Sequence, residues 1–505
     1  MWVSDKQILD SVRNSLTRLG SELTGSSATS QLGAIQIALG ELAARADGRL
    51  ESLRQSCAEA RRIAVQGAAL VAQIGSDGFA AKAGILPEAT QPTLAEVNAA
   101  YNQAKQLQVD CILAINRARE TGKGDAPWRA NVKAFFFAVA DHDTQRAQQD
   151  AQIPAPPDTS PGKKLDIDAL KGFFARWKGT DRLHGPFELI ETNPLAGGFS
   201  RQTILIKVRD GDGKNIPLVV RKQIPNGFLD GACNALFEET PFFRLCNAHG
   251  LPVPELFWHE RDSSIIGGEF FITECMPGKT IGSSYQMATG IGDAFFQQLA
   301  QYLAAQHTID WTPFAADLLA SSRIPEGVEV TSHQAALSMV NQFESYWRAA
   351  TLDPLPSYEI MVDWLKINVP PTERKAMLCH GDIGFHNMLI EDGQIKAVLD
   401  WETSRLGDPA RDLSYIRPMV THYIDWQKFI GWYRAAGGPE IDEASMSYYD
   451  VFCSFAHVIV CEVAMGDTFP RSGNADLGYL HLGIPIKAYF FDEVLRFGAP
   501  IWGSK

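Results

Sequence analysis

Cysteine is scarce and scattered, eight in 505 residues with no two forming a C-x-x-C pair, which argues against a zinc ribbon or a disulfide-stapled scaffold and for a reducing compartment. A positive charge excess is missing too. Lys and Arg number 46 against 59 Asp and Glu, a net charge of −13, so the chain as a whole is not drawn to nucleic acid or anionic lipid. The opening residues, MWVSDKQILD, lack the basic, apolar and small-residue regions of a secretory signal. The most apolar stretch, Phe455 to Met465, is too short to span a bilayer and carries His457 and Glu462. These absences predict a cytoplasmic protein with no nucleic-acid or membrane partner. What is present is an ordinary globular composition, 45% hydrophobic and 21% charged, long enough for two or three domains.

The pattern divides the chain. From 5 to 150, apolar residues recur at three- and four-residue spacing (Ile8, Leu9, Val12, Leu16, Leu19), and further amphipathic runs cover 31–74, 93–120 and 128–149. Residues 1–152 are therefore predicted as an all-α bundle, in which His142 reads as a solvated helix residue. The proline-rich segment 153–164 reads as a linker. Beyond it come a helix over 165–177, a hairpin of 203–208 with 217–221 through Asp210 to Gly213, a helix over 234–248, a strand pair near 256 and 270, and a mainly helical remainder. That is an α+β arrangement: a sheet lobe over about 165–275 leading into a helical lobe over about 276–505.

Residues 378–390 (LCHGDIGFHNMLI) and 397–402 (AVLDWE) carry the chemistry. Asp382, Asn387 and Asp400 bracket two apolar runs, Met388 to Ile390 and Ile395 to Leu399, that form a hairpin through Glu391-Asp392-Gly393. A hairpin returns its ends to one place, so the three side chains can converge. Two carboxylates and an amide oxygen are hard donors, suited to Mg²⁺ held partly by substrate phosphates and not to zinc or copper.

His380-Gly381-Asp382 with Asn387 resembles the H-G-D-x-x-x-x-N catalytic loop of the aminoglycoside phosphotransferase family, a branch of the protein-kinase-like fold. Asp400-Trp401-Glu402 is similar to that family's metal-binding Asp motif, and the resemblance runs from 165 to about 490. It implies a two-lobed kinase-like domain using ATP and Mg²⁺, in which Asp382 orients the acceptor hydroxyl and takes its proton while Asn387 and Asp400 coordinate the metal. Residues 195–203 (LAGGFSRQT) resemble the phosphate loop, with Gly197, Gly198 and Ser200 against the triphosphate. The strand cation falls on Arg221, where Lys is commoner, and its helix partner on Glu239, with Glu238 as the fallback. Residues 271–278 (FITECMPG) resemble the hinge, where backbone groups of Glu274 and Met276 meet adenine. In 406–413 (LGDPARDL), Asp408 reads as a helix N-cap ahead of Pro409, and Asp412 as a buried brace for the catalytic loop, a task His380 shares. Gly278-Lys279-Thr280 is no Walker A loop, since Thr273 stands where the first Gly is required.

For the acceptor, Arg405, Arg411, Arg417, Arg471 and Lys487, interleaved with Tyr415, Tyr423, Trp426, Trp432, Tyr448, Tyr449 and Phe455, suit an anionic acyl or aromatic molecule better than a sugar amine, although most of these aromatics must be helical core. The domain is also similar to the kinase-like domains associated with acyl-CoA dehydrogenases, whose relatives phosphorylate hydroxyacyl-CoA thioesters so that the phosphate can leave. Residues 1–120 resemble a small helical protein that accompanies such kinases. The expected function is phosphoryl transfer to a small-molecule hydroxyl, a hydroxyacyl-CoA or related carboxylic metabolite. An antibiotic or amino-alcohol kinase is the alternative within enzymes. A nucleotide-binding scaffold, its bundle serving a protein partner or a homo-oligomer, is the alternative from another class.

Overall fold

The computed structural model describes residues 49–76, 78–88, 93–151, 166–195, 201–224, 233–281, 291–324, 330–350 and 352–468, together with 487–489, 491–492 and 495. The chain forms two compact units, one of residues 1–161, 342–368 and 454–505 and the other of 162–341 and 369–453.

The first unit is helical where described. Helices α1 (Arg49–Ala72), α2 (Leu94–Glu120) and α3 (Ala126–Ala151) fall where the periodicity predicts them. The predicted segment near the N-terminus and the linker 153–164 lie outside the described residues. A capping box starts α2, with Thr93 Oγ1 accepting from the Glu96 N–H and the Glu96 carboxylate accepting from the Thr93 N–H. Ala60, Ile63 and Ala64 of α1, Cys111, Ile112 and Ile115 of α2, and Phe135 and Val139 of α3 are fully buried, each set on one helical face. His142 departs from the solvated reading. It is 6% exposed, and its Nε2 lies 3.2 Å from the Ser56 carbonyl oxygen, because the polar side of α3 is itself covered. Beside it, Lys105 and Asp143 form a buried ion pair, with Asp143 also accepting from the Ser357 hydroxyl.

The second unit begins with α4 (Ile167–Arg176), capped by the Asp166 carboxylate at the Ala169 N–H, 2.9 Å. A five-stranded antiparallel sheet follows: β1 (Glu188–Pro194), β2 (Arg201–Arg209), β3 (Asn215–Gln223), β4 (Leu256–Glu260) and β5 (Phe270–Glu274), in the order β1-β2-β3-β5-β4. One face, with Ile204, Ile206, Val208, Leu218, Val220, Phe270 and Ile272, packs on Leu170, Phe173 and Phe174 of α4. Side chains alternate along a strand, so Arg221 points to the other face, in register with Thr203 and Phe271. That face receives α5 (Leu236–Ala248), where Phe243 meets Phe271 at 5.5 Å between ring centroids. Strand β1 was not predicted. It is an edge strand with little buried on either side, so no alternation marks it.

The helical part of this unit starts with α6 (Asp293–His307). Two small ladders sit in it, β6 (Met377–Cys379) with β9 (Arg405–Gly407), and β7 (Met388–Glu391) with β8 (Gln394–Val398), followed by α7 (Ala410–Thr421). Helix Glu443–Val463 extends beyond the apolar run noted in the sequence. Its stretch to Gly466 has the length and apolarity to cross a membrane, yet 72% of its most apolar window is buried within the protein, as in a core helix.

Candidate active site

The predicted hairpin is present. Glu391 pairs with Gln394, and both turn residues, Asp392 (φ 52°) and Gly393 (φ 73°), are left-handed, as a type I′ turn requires. Just outside the ladder, the Leu399 N–H donates to the Asn387 carbonyl at 2.8 Å, so Asn387 and Asp400 leave the hairpin at one end. His380 adds a second tie. Its Nε2–H donates to the Leu399 carbonyl at 2.9 Å, and its Nδ1 accepts from the Asp382 N–H at 3.2 Å. Burial lowers the pKa of His380, which favours the neutral ring that this donor and acceptor pattern demands.

Asp412 braces the loop from below, as predicted. Its carboxylate accepts from the N–H groups of His380 (2.8 Å) and Gly381 (2.7 Å) and from Gln306 Nε2 (2.8 Å), with His307 Nε2 at 3.2 Å. Burial would raise its pKa, but the hydrogen bond and charge of His307, with His380 and Arg411, hold it at about 2. His307, Cys379 and Asp412 lie close enough to share a metal ion, but His307 spends its second nitrogen on the Tyr433 hydroxyl at 2.8 Å and the Asp412 oxygens are taken, so the group is a brace. The Asp408 carboxylate accepts from the Ala410 N–H at 2.9 Å, but α7 starts one residue later than expected, so Pro409 and not Asp408 stands at the N-cap.

Gly381 has φ +84°, and a Cβ added there would lie 2.3 Å from the Arg411 guanidinium. Gly381→Ala is therefore expected to cost about 1–2 kcal/mol for the left-handed backbone. The displaced Arg411 adds to that cost, and transfer activity should fall with it. Thermal denaturation and turnover measured on the same preparation check both.

The Asp382 carboxylate is held by three side chains. Asn387 Nδ2 donates to its Oδ2 at 3.0 Å and to its carbonyl at 2.9 Å, the Tyr415 hydroxyl donates to Oδ1, and His386 Nε2 lies 3.4 Å away. Burial would raise its pKa, but hydrogen bonding and charge from His386, then Tyr415 and His380, bring it well below the usual carboxylate range. With Nδ2 committed to Asp382, the Asn387 amide presents its oxygen away from that bond. Asp400 adopts φ 66° and ψ 66°, a strained conformation for a residue with a Cβ, and its Oδ1 accepts from Arg221 Nη2 at 2.7 Å. The Asn387 oxygen and the Asp400 carboxylate are all-oxygen donors, and together they fit a hard dication such as Mg²⁺.

The expected pairing of Arg221 with Glu239 needs correction. The direct partner of Arg221 is Asp400, whereas Glu239 Oε1 accepts from Nε and Nη2 of Arg201, at 3.1 and 3.0 Å. Arg201, the first residue of β2, points into the same buried cluster and is nearer the helix glutamate. Glu239 remains near enough to Arg221 to interact with its charge, and its Oε2, like Arg221 Nε, has no hydrogen-bond partner among the described residues. Glu238 caps its own helix at the Ala235 N–H, 2.7 Å, and forms no ion pair with Arg221.

Gly197, Gly198 and Ser200 lie outside the described residues. At the hinge, the Glu274 N–H donates to the Glu255 carbonyl at 2.9 Å, and Met276 is half-buried just past the strand. Lys279 and Ile390 exchange backbone hydrogen bonds of 3.0 and 2.9 Å, lacing the hinge segment to the catalytic hairpin.

Of the basic and aromatic residues expected to form an acceptor surface beyond Asp400, most of the described ones are spent within the fold, while Tyr423, Trp426 and Trp432 are half-buried. Arg405 and Arg411 are buried, Arg417 is paired with Asp450 and Lys487 with Glu462, and Tyr448, Tyr449 and Phe455 are core; Arg471 lies outside the described residues. Tyr415 is different, because it reaches Asp382. Sequence reasoning counted it only among the acceptor aromatics and missed its place at Asp382, as it missed His386 and Arg201 as site residues. The signal for Tyr415 was available: it stands three residues after Asp412, on the same helical face.

The profile of the phosphotransferase enzyme family matches residues 191–449, just over half of the chain. Mouse acyl-CoA dehydrogenase family member 10 is 30% identical over 268 residues, 51% of this chain and 23% of that protein. Human acyl-CoA dehydrogenase family member 11 is 27% identical over 199 residues, 39% of this chain and 24% of that protein. The chain thus spans about a quarter of the length of these relatives. Among solved structures, the macrolide 2′-phosphotransferase MphH of Brachybacterium faecium aligns with TM-score 0.42 at 20% identity, over 62% of this chain and 97% of that one. Spectinomycin phosphotransferase APH(9)-Ia, solved with ADP and spectinomycin, aligns with TM-score 0.42 at 13% identity, over 67% and 100%. The hairpin that gathers Asp382, Asn387 and Asp400 falls inside the matched stretch, and the chain belongs to the phosphotransferase enzyme family.

Proposed function

We propose that this phosphotransferase moves the γ-phosphoryl group of ATP to a hydroxyl of a small molecule, and that the acceptor is a hydroxyacyl-CoA or a related carboxylic metabolite. The observation that carries the reading is an ionised Asp382 held by three donors beside Asn387 and Asp400. Phosphoryl transfer asks for positioning and charge neutralisation more than covalent help. Asp382 accepts the acceptor O–H and takes its proton as the new P–O bond forms. Arg221 offsets negative charge on the phosphates. Asn387 and Asp400 would hold Mg²⁺, which when bound neutralises phosphate charge. Glu274 and Met276 would hold the base through their backbones, and Gly197, Gly198 and Ser200 the phosphates.

The acyl-CoA acceptor draws its support from relatives named for acyl-CoA chemistry that share up to about half of this chain. The test is incubation with ATP, Mg²⁺ and a panel of hydroxyacyl-CoAs, read by mass spectrometry. An acceptor-dependent phosphorylated thioester is expected. Turnover stimulated instead by aminoglycosides, macrolides or choline would replace the acceptor while leaving the transfer chemistry intact.

A further inference from the structure

We propose that Tyr415 is a positioning residue for phosphoryl transfer, holding the Asp382 carboxylate so that one acceptor site on it faces the incoming hydroxyl. The inference rests on the reading of Asp382 as the proton-accepting group. An ionised carboxylate offers about four lone-pair sites. Tyr415 fills one on Oδ1, Asn387 fills one on Oδ2, and His386 approaches within 3.4 Å of both oxygens. Three donors thus leave about one site, and its direction is set by where the donors stand.

The donors differ in where they come from. Asn387 and His386 belong to the same loop as Asp382, so they follow any shift of that loop. Tyr415 comes from α7, which is anchored independently through fully buried Leu413, Ile416 and Val420. One turn earlier on the same face, Asp412 grips the N–H groups of His380 and Gly381. Helix α7 therefore holds the loop at two points, the backbone before Asp382 and the tip of its side chain. Rotation of the carboxylate about its last bond is soft, and a donor on the second oxygen from a different element is what stops it. Misplacement of a reacting group by a fraction of an ångström is costly in rate, which makes this contact consequential for turnover and not for nucleotide binding.

The test uses the full chain with Mg·ATP and water as the acceptor, reading ADP release. In that reaction the bond from the γ-phosphorus to ADP breaks, one to the water oxygen forms, and the water proton passes to Asp382. Tyr415→Phe is expected to lower kcat about 10-fold with KM for ATP and the melting midpoint unchanged, because the ring stays and only the hydroxyl leaves. Tyr415→Leu should lose no more than a further factor of about 2. In an Asp382→Ala background, Tyr415→Phe should cost nothing further, since its partner is gone. A wild-type kcat in Tyr415→Phe, or the same fold-loss with and without Asp382, overturns the inference alone. Undiminished turnover in Asp382→Ala takes the base role from Asp382 and the inference with it, and no ADP release from the unaltered protein removes the phosphotransfer reading as well.

Discussion

Asp382→Ala is expected to lower acceptor-dependent transfer by about 10² to 10⁴-fold, the range that a positioned general base contributes. ATP affinity should change little, because Arg221 and Asp400 are paired with each other and not with Asp382. The loss should therefore fall on kcat, as it does when an interaction made in the transition state is removed. The structure supports a strong effect for a specific reason. Asp382 is the carboxylate that Asn387, Tyr415 and His386 hold in hydrogen bonds, so its removal takes away the acceptor that all three orient. Quenched-flow or steady-state measurement of ADP and phosphorylated product decides it, with far-UV circular dichroism as the control for folding. A loss under about 10-fold would take the base role away from Asp382. Unchanged nucleotide binding without any transfer in the unaltered protein would favour a scaffold that senses nucleotide.

Much of this site was legible because it is local. The H-G-D-x-x-x-x-N spacing, two apolar runs and an Asp-Gly turn lie within 23 residues, 378–400, and a hairpin is the one simple way to fold them. The brace at Asp412 was readable for a similar reason: an acid in the first turn of a helix, close after the loop, needs a buried donor to justify it. What the sequence hid was non-local choice. Arg221 has three acids from two segments near it (Asp400 and Glu402 from one, Glu239 from the other), and strand alternation says which face it occupies but not which carboxylate it meets. Arg201 took Glu239 because both side chains are fully buried there, and a buried charge must find a partner at bonding distance. Four of the basic residues counted toward an anionic acceptor, Arg405, Arg411, Arg417 and Lys487, failed for the same physical reason, each burying or pairing its charge within the fold. Composition registers such charges, and only packing tells whether they face a ligand. In the fold, edge strand β1 and the three-residue ladder of β6 with β9 carried too little periodicity to be seen.

Asp412→Ala should be the most destabilising single change near the site. It leaves the N–H groups of His380 and Gly381, the Gln306 amide and the His307 ring without their acceptor in a fully buried position. Removing one side of such a buried charged network costs about 3–5 kcal/mol, and for a unit of this size that corresponds to a melting point lower by roughly 10 °C. The acid limb of stability should change as well. The Asp412 carboxyl titrates at about 2 when folded, below its ordinary unfolded value near 3.9. Its stabilisation is therefore complete above about pH 4 and lost as pH falls toward about 2, because the unfolded chain binds the proton first. In the Ala variant that portion of the acid transition should be missing, so the two proteins should converge in stability at the acid end and diverge toward neutrality. Urea denaturation at a series of pH values measures this directly. A constant stability gap from pH 2 to 7 would mean that Asp412 contributes packing and not charge, and the catalytic loop would then have to be held by its other hydrogen bonds, to Leu399, Thr403, Ser404 and Tyr415.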